Sequence, residues 1–380
     1  MGTGAFRQKN YDQAIKYFSQ AVQVNSNYVG AYYYRGLSYL AITQYDNAIA
    51  DMSRALALNT NDSDAYYFRG FCYANEEQYA RAVADMDSAL SIKTNALYLL
   101  CRAYAYLQMT NFNASIEDYN QVIHLYPTST DGYLNRARAY RMEKVFGLAM
   151  MDCNAALAIR PTLPKAYQER GEIYHDEGDY NDALADFDTS LQLNPKDESV
   201  YYLKAVTYSD MGLFSIAIVD LTTFLKFHPE DSEAYGYRGW CRTETGDYEG
   251  ALSDCQKAVA LDAKSIYGYN NLAWLLAVCP DSRFRNGKKA LEYAQKACAL
   301  GGWQYPTCVD TLAAAYAEAG DFRKAVKWEK KAIKNIPAEH LADCREALRG
   351  YEHGLPYRET PKGTQKSINA SGPPPGSPGQ

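Results

Sequence analysis

The residues best suited to bond-making chemistry are few and scattered. Five histidines occur, His124, His175, His228, His340 and His353, each in a different part of the chain. His175 stands beside Asp176 and three residues from Glu172, which suggests a general base. Nothing near it in sequence supplies a nucleophile, and the trio reads as the solvated face of a helix. Cys279, Cys298 and Cys308 fall close together, but a metal centre needs a fourth ligand, so they read as core or loop thiols. No HExxH, paired CxxC or GxxxxGK[ST] pattern is present. Gly301-Gly302 reads as a helix stop, because no strand precedes it as a phosphate loop requires. No catalytic residue, metal or cofactor is therefore expected. Binding chemistry is better represented. Tyr33, Tyr67, Phe71, Tyr104, Tyr202, Trp240 and Trp274 are large aromatics, and Arg138, Arg141 and Asn270 are polar groups at comparable places. Aromatics offer wide contact area at low entropic cost.

These residues are positioned by a stretch that the chain repeats. In Ala166 to Pro195, Tyr167, Gly171 and Tyr174 lie on one helical face. Gly178-Asp179 ends that helix, since glycine takes the left-handed conformation readily. Tyr180, Ala183, Phe187 and Leu191 mark one face of a second helix, and Pro195 follows its end. Equivalents of Ala183 are Ala14, Ala48, Ala82, Ser115, Ala149, Ala217 and Ala251, 34 residues apart except for one step of 33. Gly171 recurs as Gly36, Gly70, Ala103, Ala137, Ala205 and Gly239, so small residues allow the two helices to approach.

A helix-turn-helix unit of this length and signature resembles the tetratricopeptide repeat (TPR). The resemblance implies an all-α, right-handed superhelical solenoid whose first helices line a concave face. Equivalents of Gln168 and Glu172 then point into that groove, and they include every aromatic named above, Arg138 and Asn270. Arg141 adds charge near its centre. The family's carboxylate clamp of Lys, Arg and Asn lacks its Lys and Arg partners here. An extended segment carrying apolar or proline residues suits the groove, with Arg138 and Arg141 as one anionic anchor. The run from Ala273 to Leu300, with Val309 to Ile333 and then EHGLPYRET, resembles the closing repeats of large bacterial TPR proteins. There such arrays can follow an enzyme domain, for example a kinase. The implied function is a non-enzymatic scaffold that binds a protein or peptide; the alternative is the regulatory or substrate-recruiting region of an enzyme encoded upstream.

The expected organisation is an incomplete repeat at 1–28, seven repeats at 29–265 and two divergent repeats at 266–339. A capping helix follows at 340–354, then a disordered Pro/Gly-rich tail at 355–380. The start reads as cut from a longer protein or as a short natural cap. A charge of −6 on 380 residues argues against a general nucleic-acid or anionic-membrane binder. Nine cysteines without paired spacing, and no visible secretory leader, point to a reducing, cytoplasmic setting.

One further pattern concerns charge. Arg35, Arg69, Arg102, Arg136, Arg170, Lys204 and Arg238 each precede the small residue of a first helix. Asp51, Asp85, Asp118, Asp152, Asp186, Asp220 and Asp254 each lie three residues after the small residue of the second. Both change together, to Leu272 with Tyr293 and to Leu312 with Trp328, which predicts contact within each repeat. A planar guanidinium suits a carboxylate, so these charges are assigned to structure rather than to a ligand.

Overall fold

The computed structural model describes residues 1–360. Among these residues the regular structure is 21 α-helices and two short 3-10 turns, with no strand. The described chain divides into two compact units, residues 1–177 and the residues from 178 on. The first holds the short helix Gly2–Arg7, then pairs from Tyr11–Val24 through Phe146–Ile159, and ends with Pro164–Glu177. The second runs from Tyr180–Leu193 through Phe322–Ala332 to a last helix, Leu341–Glu352.

Each hairpin is closed by the small residues that the spacing singled out. Ala48, Ala82, Ala149, Ala217 and Ala251 are fully buried. A side chain on Gly70 would meet the Met86 methyl at 2.3 Å and the Ala82 carbonyl at 3.2 Å; one on Gly239 would meet Cys255 Sγ at 2.7 Å. The wide residue of the second helix therefore fills the space that the first helix leaves empty. Alanine in the same place of the first helix, as at Ala137, is accommodated as well: Ala137 and Cys153 share one core cluster and are both fully buried.

The turn inside the hairpin differs from expectation in the first unit. A left-handed residue closes every regular turn, but there it is Lys9, Thr43, Glu77, Thr110 or Lys144, with φ between 56° and 63°. Glycine takes this place in the second unit, at Gly178, Gly212, Gly246 and Gly320. Hydrogen bonds such as Asn111 N to the Tyr106 carbonyl, 2.9 Å, hold the strained residue in place, so glycine is favourable but not required.

The divergent region keeps its helices and changes their connection. Helix Ile266–Val278 leads into a loop with a 3-10 turn at Ser282–Phe284, and Asn286 caps Gly287–Leu300 by accepting from Lys289 N. Gly287 is needed there for a close approach. A Cβ on it would lie 2.7 Å from Ala319 N and 2.8 Å from the Glu318 carbonyl oxygen, both backbone atoms that cannot turn aside. Gly287→Ala is expected to cost about 1–3 kcal/mol through overpacking. Gly147→Ala is the control, because its Cβ would meet nothing within 4 Å. Urea unfolding should show a lower midpoint for Gly287→Ala and no loss for Gly147→Ala.

The last helix ends at Gly354, φ 74°. Residues 355–360, expected to belong to a disordered tail, instead return over the second unit. Glu359 N donates to the Val278 carbonyl at 3.1 Å. Arg358 donates to the Ala277 carbonyl at 3.1 Å and to Glu318 Oε2 at 2.5 Å. The backbone carbonyls at the C-terminal end of helix Ile266–Val278 accept from this strap, a role that its composition does not advertise. The rest of the expected tail, 361–380, lies outside the described residues.

Candidate functional site

The charge pattern proves to be a repeated clamp. In the first unit Arg35, Arg69, Arg102 and Arg136 each donate through Nε and Nη2 to both oxygens of Asp51, Asp85, Asp118 and Asp152, at 2.6–2.8 Å. In the second unit Arg238 grips Asp254 in the same way, at 2.8 Å. The remaining Nη1 reaches back to the preceding repeat, to Ser19, Ser53, Asp87, Asn120 and Thr222 respectively. Most of these guanidinium groups also lie over the tyrosine three residues earlier, as Arg238 does over Tyr235 at 5.4 Å. Sequence reading found the pair and missed the third arm. Its signal was a polar residue 15 or 16 positions before each arginine.

Lys204 corrects the pattern. Its ammonium bonds Asp188 at 2.7 Å, and Asp220 keeps a buried Oδ2 with no hydrogen-bond donor. A lysine is a point charge and cannot span both arms as the guanidinium fork does. Burial accordingly pushes the Asp220 carboxyl up, against the pull of Lys204. Arg170 and Asp186 belong to different units and stay an expectation.

In the first unit, Tyr67, Phe71 and Tyr104 come together around a cavity of about 460 Å³, with Tyr79, Leu97, Leu100 and Cys101. Phe71 and Tyr104 remain 38% and 43% exposed, enough for their faces to meet a ligand. Tyr33 does not join them. It packs edge-on against Phe68 and beside Met52 and Leu56, between successive first helices. Arg138 and Arg141 are met by the chain itself. Arg138 pairs with the buried Glu169, and Arg141 bonds Glu172 at 2.7 Å and Asp176 at 2.9 Å. The expected anionic anchor thus already holds three carboxylates from helix Pro164–Glu177.

In the second unit all four expected residues meet. Tyr202, Trp240, Asn270 and Trp274 line one cavity of about 580 Å³. Each helix adds further residues three or four positions apart: Glu233, Tyr237 and Glu244 beside Trp240; Tyr267 and Asn271 beside Asn270; Thr307 with Asp310 and Thr311; and Asp343, Cys344 and Ala347 on the last helix, with His340 just before it. Sequence reading took one turn of each helix and missed the turns on either side. The strap closes another wall with Tyr357 and Glu359, and Trp274 Nε1 donates to Glu359 Oε2 at 2.5 Å. Tyr237 donates to or accepts from Ser209, and burial pushes both its phenol and that of Tyr202 up. These rings therefore stay neutral and present uncharged faces. Asn271 donates to the Gly236 carbonyl at 3.1 Å, whereas Asn270 Oδ1 is buried with no donor. Five carboxylates on the wall, Glu233, Glu244, Asp310, Asp343 and Glu359, face one histidine.

Among the described residues no helix is long and apolar enough to cross a membrane, and all nine cysteines are free thiols. No curated protein gives a significant match. Solved structures do. A tetratricopeptide repeat protein from Parabacteroides merdae matches with TM-score 0.54 at 18% identity, over 64% of this chain and 96% of its own. Yeast Tom70 matches with TM-score 0.44 at 14% identity, over 97% and 96%. YrrB, described as a TPR protein with an unusual peptide-binding site, matches with TM-score 0.40 at 18% identity, over 49% and 97%. The first of these supports an all-α repeat solenoid. Sequence models described as tetratricopeptide repeat match residues 1–62, 33–96 and 202–266, and another matches 99–129. One described as TPR repeat matches 171–212. Together they span more than half of the chain, in register with the hairpins seen in both units, and the chain belongs to the tetratricopeptide repeat family.

Proposed function

We propose that this chain is a non-enzymatic scaffold that binds segments of other proteins, and that the cavity at Trp240 and Trp274 takes a basic residue of the bound segment. Repeat arrays of this kind are protein-interaction scaffolds in general, because their stacked first helices present an extended surface. The observation that carries the finer reading is the lining itself. Indole and phenol faces stand beside several carboxylates in one cavity of about 580 Å³. An aromatic face attracts a cation, and desolvation strengthens that attraction. The carboxylates add charge complementarity. Asn270 Oδ1, without a donor of its own, suits a backbone N–H of an extended segment. The cavity at Tyr67, Phe71 and Tyr104 has a mostly apolar and aromatic lining and suits an apolar or proline residue. A cytoplasmic setting agrees with nine free thiols.

Selection of random peptides on the intact chain tests this reading. Bound peptides are expected to be enriched in lysine or arginine flanked by apolar residues, and their binding should weaken as salt rises. Enrichment of acidic peptides instead would contradict it.

A further inference from the structure

The last repeat contains a polar cluster that shares Asp310 and Cys344 with the wall of the cavity at Trp240 and Trp274 and adds Glu329, which does not line it. Helices Pro306–Glu318, Phe322–Ala332 and Leu341–Glu352 bring together Asp310, Glu329 and Cys344, with one ligand atom from each within 4.8 Å of the others. Glu329 is 0% exposed, and neither of its oxygens has a donor from outside the cluster. The Tyr351 hydroxyl, on the same helix as Cys344, is likewise buried without a partner. A carboxylate in such a place is costly unless a cation compensates it. Elsewhere the chain meets a buried aspartate of the second helix with an arginine, as Arg136 meets Asp152, or replaces both partners by apolar residues, as at Leu272 and Tyr293. Here Glu329 follows Trp328, which occupies the position of the lost aspartate, and the groups acting on Glu329 are Asp310 and Cys344.

We propose that Asp310, Glu329 and Cys344 bind one divalent transition-metal ion of the zinc class, which ties the last helix to the final repeat. The donor set selects the ion. Two carboxylates with a thiolate suit a borderline-soft cation, whereas magnesium and calcium favour oxygen alone. Zinc lies about 2.0–2.2 Å from carboxylate oxygen and about 2.3 Å from thiolate sulfur. Ligand atoms no more than 4.8 Å apart close on it through small side-chain adjustments. Asp310 and Cys344 also line the cavity, so an ion can enter from that side. His340 lines the same cavity, and that imidazole or a water would complete the coordination. Burial pushes the Glu329, Asp310 and Cys344 groups all up, so binding displaces protons. The thiol proton and any proton held by the carboxyls pass to solvent, while the metal keeps its oxidation state.

The test uses the full chain, freed of metal by a chelator and titrated with cobalt(II), then zinc. One equivalent of cobalt is expected to give a thiolate-to-metal charge-transfer band, which zinc abolishes, and zinc should raise the melting temperature. Cys344→Ser should lose the band. Glu329→Gln, neutral and close in shape, should fold and bind more than about tenfold more weakly. A band that persists in Cys344→Ser would place the metal on other cysteines and overturn the assignment. So would zinc that leaves wild-type melting unchanged while Glu329→Gln is as stable as wild type, since the carboxyls would then simply share a proton.

Discussion

Asp152→Ala is expected to destabilise its part of the array by about 3–5 kcal/mol, the cost of stranding a largely buried charge. Asp152 and Arg136 are 6% and 19% exposed at the side chain, and the two hydrogen bonds between them are 2.6 and 2.7 Å. Removing the carboxylate leaves Arg136 with Asn120 and the rings of Tyr133 and Tyr140, none of which neutralises it. Asp87→Ala is the internal comparison. Asp87 meets Arg102 at 2.5 Å but is 53% exposed, and an exposed ion pair contributes only about 0–1 kcal/mol. Stability in a repeat array is a sum of local and nearest-neighbour terms, so hydrogen exchange along helices Thr130–Met142 and Phe146–Ile159 should report the loss, together with urea unfolding. Equal, small effects of the two variants would contradict the clamp.

The repeats were legible because their signal is redundant. A tyrosine, a small residue and an alanine at a spacing of 34 all say the same thing, and joint loss at Leu272 with Tyr293 confirmed who touches whom. What stayed hidden was set by partners far away in sequence. Arg138 and Arg141 looked available because Glu169, Glu172 and Asp176 sit on the next first helix, one repeat further on. Tyr33 carries the same residue type as Tyr67, yet Phe68 covers it and leaves Tyr67 beside a cavity. Residues 355–360 were assigned to the tail on composition, whereas their hydrogen bonds go to the end of helix Ile266–Val278. Lys204 was grouped with the arginines by charge, although only a planar fork can hold an aspartate and a neighbouring repeat at once. The aromatic residues of the second cavity were found because they recur in register. Most of its carboxylates were not: the last helix and the strap bring in Asp343 and Glu359 from outside the repeat pattern, and Glu233 and Glu244 lie a turn or two away from the recurring positions.

The double variant Trp240→Ala, Trp274→Ala is expected to weaken binding of a basic, apolar-flanked peptide by about 2–4 kcal/mol, roughly 30- to 1,000-fold. The two indoles stand on successive first helices in one cavity, so a single basic side chain can meet both. Trp240 also packs edge-on against Phe214 at 5.4 Å, and Trp274 lies beside Tyr357 of the strap at 6.2 Å. Helix content and melting must therefore be recorded for each variant beside its affinity. Phe71→Ala with Tyr104→Ala removes aromatic surface from the other cavity and separates the two sites. The most direct measurement is a calorimetric titration of the intact chain and of the Trp240→Ala, Trp274→Ala variant with one selected basic peptide. The account predicts a saturable isotherm for the wild type and a loss of at least about 30-fold in a variant that keeps its helix content; equal affinity in two equally folded proteins would contradict it.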